Sequence, residues 1–395
     1  MHEPIAILSA KRTPIGSLLG DLSSISSPEL GATAIAAAVQ SAKLTPSQID
    51  EVIMGCVLSA GLGQAPARQA ALAAGLDVNT SCTTINKVCG SGMSAVTTAC
   101  NALRTSQAER VVAGGMENMS QAPHLMSQAR MGYRFGERLL LDHMQIDGLQ
   151  DAFKGLSMGQ FAEQCADKYN FSRSNQDAFA LESLKRAKYA IEKGFFTQEI
   201  ASVSVVTKEQ THLIKHDQQP RLAKPEKIAK LPAAFKEQGT VTAANASSIS
   251  DGAAALTLML ATKAQEQGLK PIALIHGYDH AAHEPEWFTT APIAAIKKTL
   301  HRVGWTVPDV DLWEINEAFA VVPMAVMQDM GIAHKKVNIN GGACALGHPI
   351  GASGARIIVS LIHALQQTNG KRGVASICIG GGEATAVALE RLSVD

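Results

Sequence analysis

The chain has 395 residues, and its 35 Lys plus Arg are balanced by 35 Asp plus Glu. That neutrality leaves no electrostatic footprint for nucleic acid or an anionic membrane, and no apolar run approaches the roughly 18–20 residues that span a bilayer. At 46% apolar and only 4% aromatic, it reads as a soluble globular protein of two or three domain-sized units with an aliphatic core.

The start, "MHEPIAILSAKRTPIG", runs directly into a strand with no signal or Arg-rich transit segment, which predicts a cytoplasmic protein. Strands are predicted at "PIAILSA", "DEVIMGCVLS", "CTTIN" and "ERVVAGG", with helices at "ATAIAAAVQSA", "APARQAALAA" and "GMSAVTTACNALR" between them. From 119 to about 250 the chain changes character. It gathers charge, carries the irregular loops "MGYRFGERLLLDHMQIDG" and "KHDQQPRLAKPEK", and holds one long amphipathic helical stretch around 173–193. This region reads as an inserted loop domain packed on the first half, serving as a lid and subunit contact. From about 271 the pattern restarts, with strands "PIALIHGYD", "DLWEIN", "KVNIN" and "GVASICIGG" and helices "PIAAIKKTLHRVG", "FAVVPMAVMQDMG" and "GARIIVSLIHALQQT". The alternation predicts a mostly parallel, doubly wound α/β sheet. The two halves read as an internal repeat, and "DGAAALTLMLA" parallels "GGEATAVALERL".

The seven cysteines are odd in number and lack CxxC or Cys/His metal spacing, so they read as free thiols in a reducing cytosol and no metal site is expected. Cys89, in "NKVCGSGMSA", sits where a strand gives way to glycines and a helix. There the unpaired N–H groups and the helix dipole favour thiolate, although an ordinary buried thiol would also fit. His348 stands between Gly347 and Pro349 in "GHPIGASGAR", placed either to stabilise a turn or to act as a base beside a thiol. Cys378 ends a strand, and Gly380, Gly381 and Gly382 follow it either as a tight turn or as N–H donors to an oxyanion. Asn316, in "WEINEAFA", is placed to cap a helix or to donate from its side chain. The chain has no Walker loop, no GxGxxG after a strand and no GxSxG elbow, which disfavours nucleotide-dependent and hydride-transfer chemistry.

Taken together, "AILSAKRTPIGS", "NKVCGSGMSA", "GGMENMS", "GTVTAANASSISDGAAA", "NEAFA", "GGACALGHPIGASGAR" and "CIGGGEA" resemble the thiolase family in order and spacing over nearly the whole chain. The resemblance is to the members that act as acetyl-CoA C-acetyltransferases. It implies two similar α/β half-domains stacked as five layers (αβαβα) with an inserted loop domain. The expected boundaries are 1–118, completed by 250–270, for the first half, 119–249 for the loop domain, and 271–395 for the second half.

By resemblance the chemistry is a reversible ping-pong Claisen condensation through an S-acetyl-cysteine. Cys89 is the nucleophile, His348 its base, and Cys378 the base that deprotonates a second acetyl-CoA. One oxyanion hole uses His348 with a water held by Asn316, and the other uses the N–H groups of Cys89 and Gly380. Coenzyme A is substrate and product, and no tightly bound cofactor is implied. Ser247 matches a pantetheine contact and Arg221 the adenine and phosphate region. Met158, Phe235, Ala318, Phe319 and Phe288 match the pantetheine tunnel and acyl pocket. The partners expected are small molecules and copies of the chain itself, as a tetramer of two dimers joined through the 125–145 loop.

The chain departs from the family pattern at three places. Ser157 stands where biosynthetic members have His, and Phe288 where bacterial polymer-pathway enzymes have Met. "TAANAS" matches a potassium-binding segment of mitochondrial relatives, but Pro220 replaces the Tyr of that site. Two other readings remain at this level: a degradative 3-ketoacyl-CoA thiolase of broader chain length, and a non-catalytic thiolase-like structural or lipid-carrier subunit. The intact Cys89, His348, Asn316 and Cys378 argue against the second.

Overall fold

Ile5, Ala6 and Ile7 pair antiparallel with Ile275, Leu274 and Ala273, and this short seam joins two half-sheets of the same design. The computed structural model describes residues 3–207 and 210–392. The first half is built from β1 (Ile5–Arg12), β2 (Gly16–Ser17), α1 (Ser27–Ser41), β3 (Glu51–Gly55), α2 (Pro66–Ala73), β4 (Ser81–Ile85), α3 (Ser91–Arg104) and β5 (Val111–Asn118). A long excursion follows, with hairpins β6 (His124–Leu125)–β7 (Leu141–Asp142) and β8 (Val203–Val206)–β9 (Thr211–Ile214). It also contains helices α4 (Met158–Tyr169), α5 (Arg173–Glu192) and α6 (Gln219–Leu222). The chain then returns as β10 (Ser250–Leu260) and α7 (Ala261–Glu266). The second half follows as β11 (Ala273–Ala282), α8 (Ala291–Val303), β12 (Leu312–Ile315), α9 (Val321–Met330), α10 (Ala343–Leu346), α11 (Ile350–Thr368), β13 (Arg372–Ile379) and β14 (Glu383–Arg391).

The strand order β12-β13-β14-β11-β1-β10-β5-β3-β4 is symmetric about the seam except for the edge strand β4, which has no counterpart beyond β12. β3–β5 and β12–β13 are parallel, while β5–β10 and β13–β14 are antiparallel. α3 leads into β5 as α11 leads into β13. The fold is therefore two copies of one α/β unit.

The sheet is not mostly parallel as the alternation suggested. Among the described residues only β3–β4, β3–β5 and β12–β13 run parallel. β10 carries "SDGAAALTLML", buried nearly throughout, and β14 carries "EATAVALER", buried from Ala384 to Leu389. A strand buried on both faces reads as a continuous apolar run whichever way it points. The expected strand at "KVNIN" is also absent. Val337 makes one bridge to Trp313, and Asn338 turns the chain at φ +46°. The Asn338 side chain takes over the pairing by accepting from Ile315 N and donating to Ile315 O, at 2.9 and 2.8 Å.

Three apolar clusters separate five layers. α1 and α2 cover the outer face of the first half-sheet. α3 and α11 lie between the half-sheets, and α8 and α9 cover the outer face of the second. α1 starts as its sequence dictates. Ser26 and Glu29 form a reciprocal capping box and Pro28 occupies the first turn. α8 and α9 end at Gly304 and Gly331 in the left-handed region.

The excursion straddles both halves rather than packing on the first alone. Arg12 of β1 pairs with Glu199 and Asp217, whereas Phe161, Ala162 and Cys165 of α4 join the core of the second half. Among the described residues no helix is long and apolar enough to cross a membrane.

Candidate active site

α3 and α11 cross at their first turns, and glycines make the crossing possible. A Cβ at Gly92 would lie 2.9 Å from Ala355 N and 3.0 Å from Gly351 O, and one at Gly354 would lie 2.5 Å from Met93 N. Cys89 precedes the N-cap of α3 (Gly90) and His348 precedes the N-cap of α11 (Pro349), so the crossing draws their loops together.

The Cys89 loop is held under strain. Val88 has φ +46°, a rare conformation for a β-branched residue. Its N–H donates to Asn86 Oδ1 at 2.9 Å, and Ser91 Oγ donates to Val88 O at 2.7 Å while accepting from Lys87 N at 2.8 Å. The Cys89 sulfur faces the N–H of Gly380 and its own N–H. Burial nonetheless pushes the thiol up to about 11, opposing the depression expected at a helix start. The helix end supplies donors, but removal of water outweighs them.

Cys378, buried near the end of β13, faces Cys89, and burial with that neighbour raises its thiol well above the ordinary value. Gly380, Gly381 and Gly382 then turn the chain into β14, the last two at φ +93° and +86°. The tight turn and the N–H donor are thus one structure.

His348 is buried, and burial followed by the charge of Arg356 lowers its imidazole to about 3, so it rests neutral. Its Nδ1 lies 2.5 Å from Ser353 Oγ, which donates its own hydrogen to Pro349 O at 2.9 Å. Nδ1 therefore carries the proton and Nε2 the lone pair. Asn316 Nδ2 stands 3.5 Å from Nε2. Asn316 does not cap α9, whose N-cap is Ala320. Its backbone N–H donates to Ser376 O at 3.0 Å, carrying the β12–β13 pairing one residue further and aiming the side chain at His348.

Apolar residues adjoin Gly380. Met158 Sδ lies 3.5 Å from where a Gly380 Cβ would be. Phe319 meets Phe235 and Phe288 edge-on, with centroids 6.0 and 6.3 Å apart. Ser247 donates from both N–H and Oγ to Ala318 O, each at 3.0 Å. Met158, Phe235, Ala318, Phe319 and Phe288 share one cluster, and Ser247 joins it through its two bonds to Ala318 O. Ser157 caps α4 in a box with Gln160. Arg221 stands apart from this group. It is exposed on α6, pairs with Asp21 at 2.6 Å, and lines a cavity of about 510 Å³ with His212, Lys215 and His216.

Sequence reasoning missed three side chains. Ser353 fixes the His348 tautomer. Arg356 lies 3.5 Å from both Asn316 Oδ1 and Glu314 Oε2. Glu117 accepts N–H groups from three residues. The quoted segments "GGMENMS" and "GASGAR" contain all three, and a charged or hydroxyl residue in a glycine-rich apolar run was the available signal.

The description "Thiolase, N-terminal domain" matches residues 5–262, and "Thiolase, C-terminal domain" matches residues 269–391. An acetyl-CoA acetyltransferase of Chromobacterium violaceum is 48% identical over 394 residues, covering 98% of this chain and 99% of its own length. Acetyl-CoA acetyltransferase 2 of Arabidopsis thaliana is 50% identical over 391 residues, covering 98% and 97%. The structure of the Acat5 thiolase of Ascaris suum in complex with coenzyme A superposes with a TM-score of 0.93 at 43% identity, covering 99% and 100%.

Proposed function

The chain belongs to the thiolase family, and from that premise we propose that it is an acetyl-CoA C-acetyltransferase, condensing two acetyl-CoA reversibly to acetoacetyl-CoA and coenzyme A. The observation that carries this reading is the Cys89 sulfur, set against the Gly380 N–H with Cys378 facing it. A single-nucleophile hydrolase has no use for a second buried thiol at that position. A carbon–carbon condensation needs a second base.

Cys89 and His348 rest as thiol and neutral imidazole. As the acetyl-CoA carbonyl arrives, His348 Nε2 takes the thiol proton and sulfur adds to the carbonyl carbon. The oxyanion collapses, the bond to coenzyme A breaks, and Cys378 gives its proton to the departing thiolate. The raised thiol of Cys378 suits that first role as acid. It is left as a thiolate, and takes a methyl proton from the second acetyl-CoA. The carbanion attacks the acetyl group on Cys89, and the released Cys89 thiolate recovers its proton from His348. The N–H groups of Gly380 and Cys89 serve one oxyanion, and protonated His348 with a water on Asn316 serves the other. Each donor lost costs roughly 2.7–4 kcal/mol at such sites.

The apolar cluster of Met158, Phe235, Ala318, Phe319 and Phe288 supports a short acyl pocket, and Ser247 a pantetheine contact. Arg221, with Lys215 and two histidines around its cavity, is suited to the phosphates of coenzyme A. Residues 119–249 then form a loop domain that straddles the two halves and serves coenzyme A binding and subunit contacts. Met126, Met131, Phe135, Leu139 and Leu140 are exposed on its arm and suit contact with a second dimer in a cytoplasmic homotetramer.

Thiolysis across 3-ketoacyl-CoA chain lengths tests the reading. Acetoacetyl-CoA should be the best substrate. Equal rates with 3-ketooctanoyl-CoA would instead make the chain a degradative thiolase, and no turnover of any substrate would make it a silent homologue.

A further inference from the structure

The penultimate residue of β5, Glu117, is a carboxylate with no counter-cation among the described residues. Glu117 is completely buried. Its oxygens accept from Val57 N at 3.0 Å, Leu58 N at 3.1 Å and Gly351 N at 2.9 Å, with Cys56 Sγ at 3.8 Å. One side chain thus binds the segment leaving β3 to the first turn of α11. Glycines admit this contact. A Cβ at Gly351 would come within 2.6 Å of Glu117 Oε2, and one at Gly115 would overlap Gly351 O at 2.0 Å. Hydrogen bonds to a charged acceptor are the strong kind, and a helix start is where such a charge is best held.

His348 lies three residues before Gly351, and Cys89 packs against the cluster that contains Val57 and Leu58, the two residues whose N–H groups Glu117 holds, so the carboxylate's charge opposes ionisation of the thiol. We propose that Glu117 is a positioning residue for acyl transfer: it fixes the start of α11, and so His348, relative to Cys89, and supplies the negative charge against which the Cys89 thiolate must form. The inference rests on Cys89 being the acylated thiol. Acetylation of Cys89 in the wild type, located by mass spectrometry, tests that premise separately.

The two roles of Glu117 push in opposite directions, and this distinguishes positioning from ordinary core support. Glu117→Gln removes the charge and turns one acceptor into a donor facing backbone N–H groups. The titratable groups around Cys89 are Cys378 from β13, Glu117 from β5 and, in the proposed mechanism, His348 ahead of α11, which is neutral where the thiol titrates; those facing Glu117 are Cys56 and Cys89. Burial raises Glu117 to about 7, so it is charged wherever Cys89 titrates.

The experiment follows alkylation of Cys89 by iodoacetamide against pH, together with the rate of acetyl-Cys89 formation and KM for acetyl-CoA. For Glu117→Gln the alkylation midpoint should move to lower pH. Acetylation should slow about tenfold to a hundredfold, with KM changed less than about threefold. Glu117→Asp keeps the charge but shortens the reach, and should slow acetylation while leaving the midpoint in place. An unchanged midpoint in Glu117→Gln, or wild-type acetylation in either variant, overturns the proposal. If Glu117→Gln does not fold, the Asp variant decides alone: wild-type acetylation refutes the positioning role, and slowed acetylation at an unchanged midpoint upholds it.

Discussion

Ser353 Oγ lies 2.5 Å from His348 Nδ1 and spends its own hydrogen on Pro349 O. The hydroxyl can only accept from the ring, so the lone pair is left on Nε2, facing Asn316. Ser353→Ala frees the ring to adopt the other tautomer and leaves Nδ1–H unpaired. A lost hydrogen bond of this kind is worth about 1 kcal/mol. kcat should fall about tenfold with KM for acetyl-CoA nearly unchanged, and Ser353→Thr should recover part of it. A normal kcat in Ser353→Ala would show that packing alone holds the imidazole.

Cys89→Ser should lower turnover by a factor on the order of 10⁶, the scale set by removing a catalytic nucleophile. An alcohol presents far less of the ionised form that attacks. Wild type incubated with acetyl-CoA should gain one acetyl group, on Cys89. Peptide mapping that finds it on any other cysteine removes the assignment.

Cys378→Ala should divide the reaction. One equivalent of coenzyme A leaves as the acetyl-enzyme forms, more slowly than in wild type because the departing thiolate goes unprotonated. No acetoacetyl-CoA follows. Condensation at the wild-type rate would exclude Cys378 as the carbon base.

His348 is held at about 3 in the folded chain, against roughly 6.5 when unfolded. Between those values the unfolded chain binds more protons, so this residue makes stability fall as pH drops from about 6.5 toward 3. His348→Asn removes that slope. Denaturant midpoints measured across this window should decline less steeply in the variant. Parallel declines would mean that His348 protonates freely in the folded protein.

Phe288→Ala should open the acyl end of the pocket. The side chain is buried against Phe319, so truncation costs about 3–5 kcal/mol of stability. The variant should cleave 3-ketohexanoyl-CoA faster relative to acetoacetyl-CoA than the wild type does. An unchanged ratio, measured in parallel thiolysis assays, would place the wall elsewhere.

Local chemistry was legible in the sequence. The strand-to-glycine breaks that mark Cys89 and Cys378, and the Gly-His-Pro turn at His348, lie within a few residues of the groups they position. Strand direction in β10 and β14 was not legible, because burial on both faces erases the alternation that would have shown it. Glu117 and Ser353 each stand as a polar residue in a glycine-rich run, "GGMENMS" and "GASGAR". The Glu117 partners at Val57, Leu58 and Gly351 are remote in sequence, and nothing in "GGMENMS" reveals them. The Cys89 thiol is raised rather than lowered for a related reason. A helix start is visible in one stretch of chain, whereas the burial that opposes it comes from both halves. Arg221 pairs with Asp21, two hundred positions away, and no local pattern announces that.

The short seam between Ile5–Ile7 and Ala273–Ile275, together with the α3–α11 crossing, has a consequence for how this protein is born. Neither half holds the candidate site alone. Cys89 comes from one and Cys378 from the other, and the Gly380 N–H reaches the Cys89 sulfur only after the halves have closed. A nascent or partly refolded chain would therefore carry secondary structure and a chemically dormant thiol. Turnover should be the last property to return on dilution from denaturant, behind far-UV dichroism, since long-range docking is the slow step in such topologies. A lesion confined to the seam would then appear as an enzyme that looks folded, is made in normal amounts and does nothing.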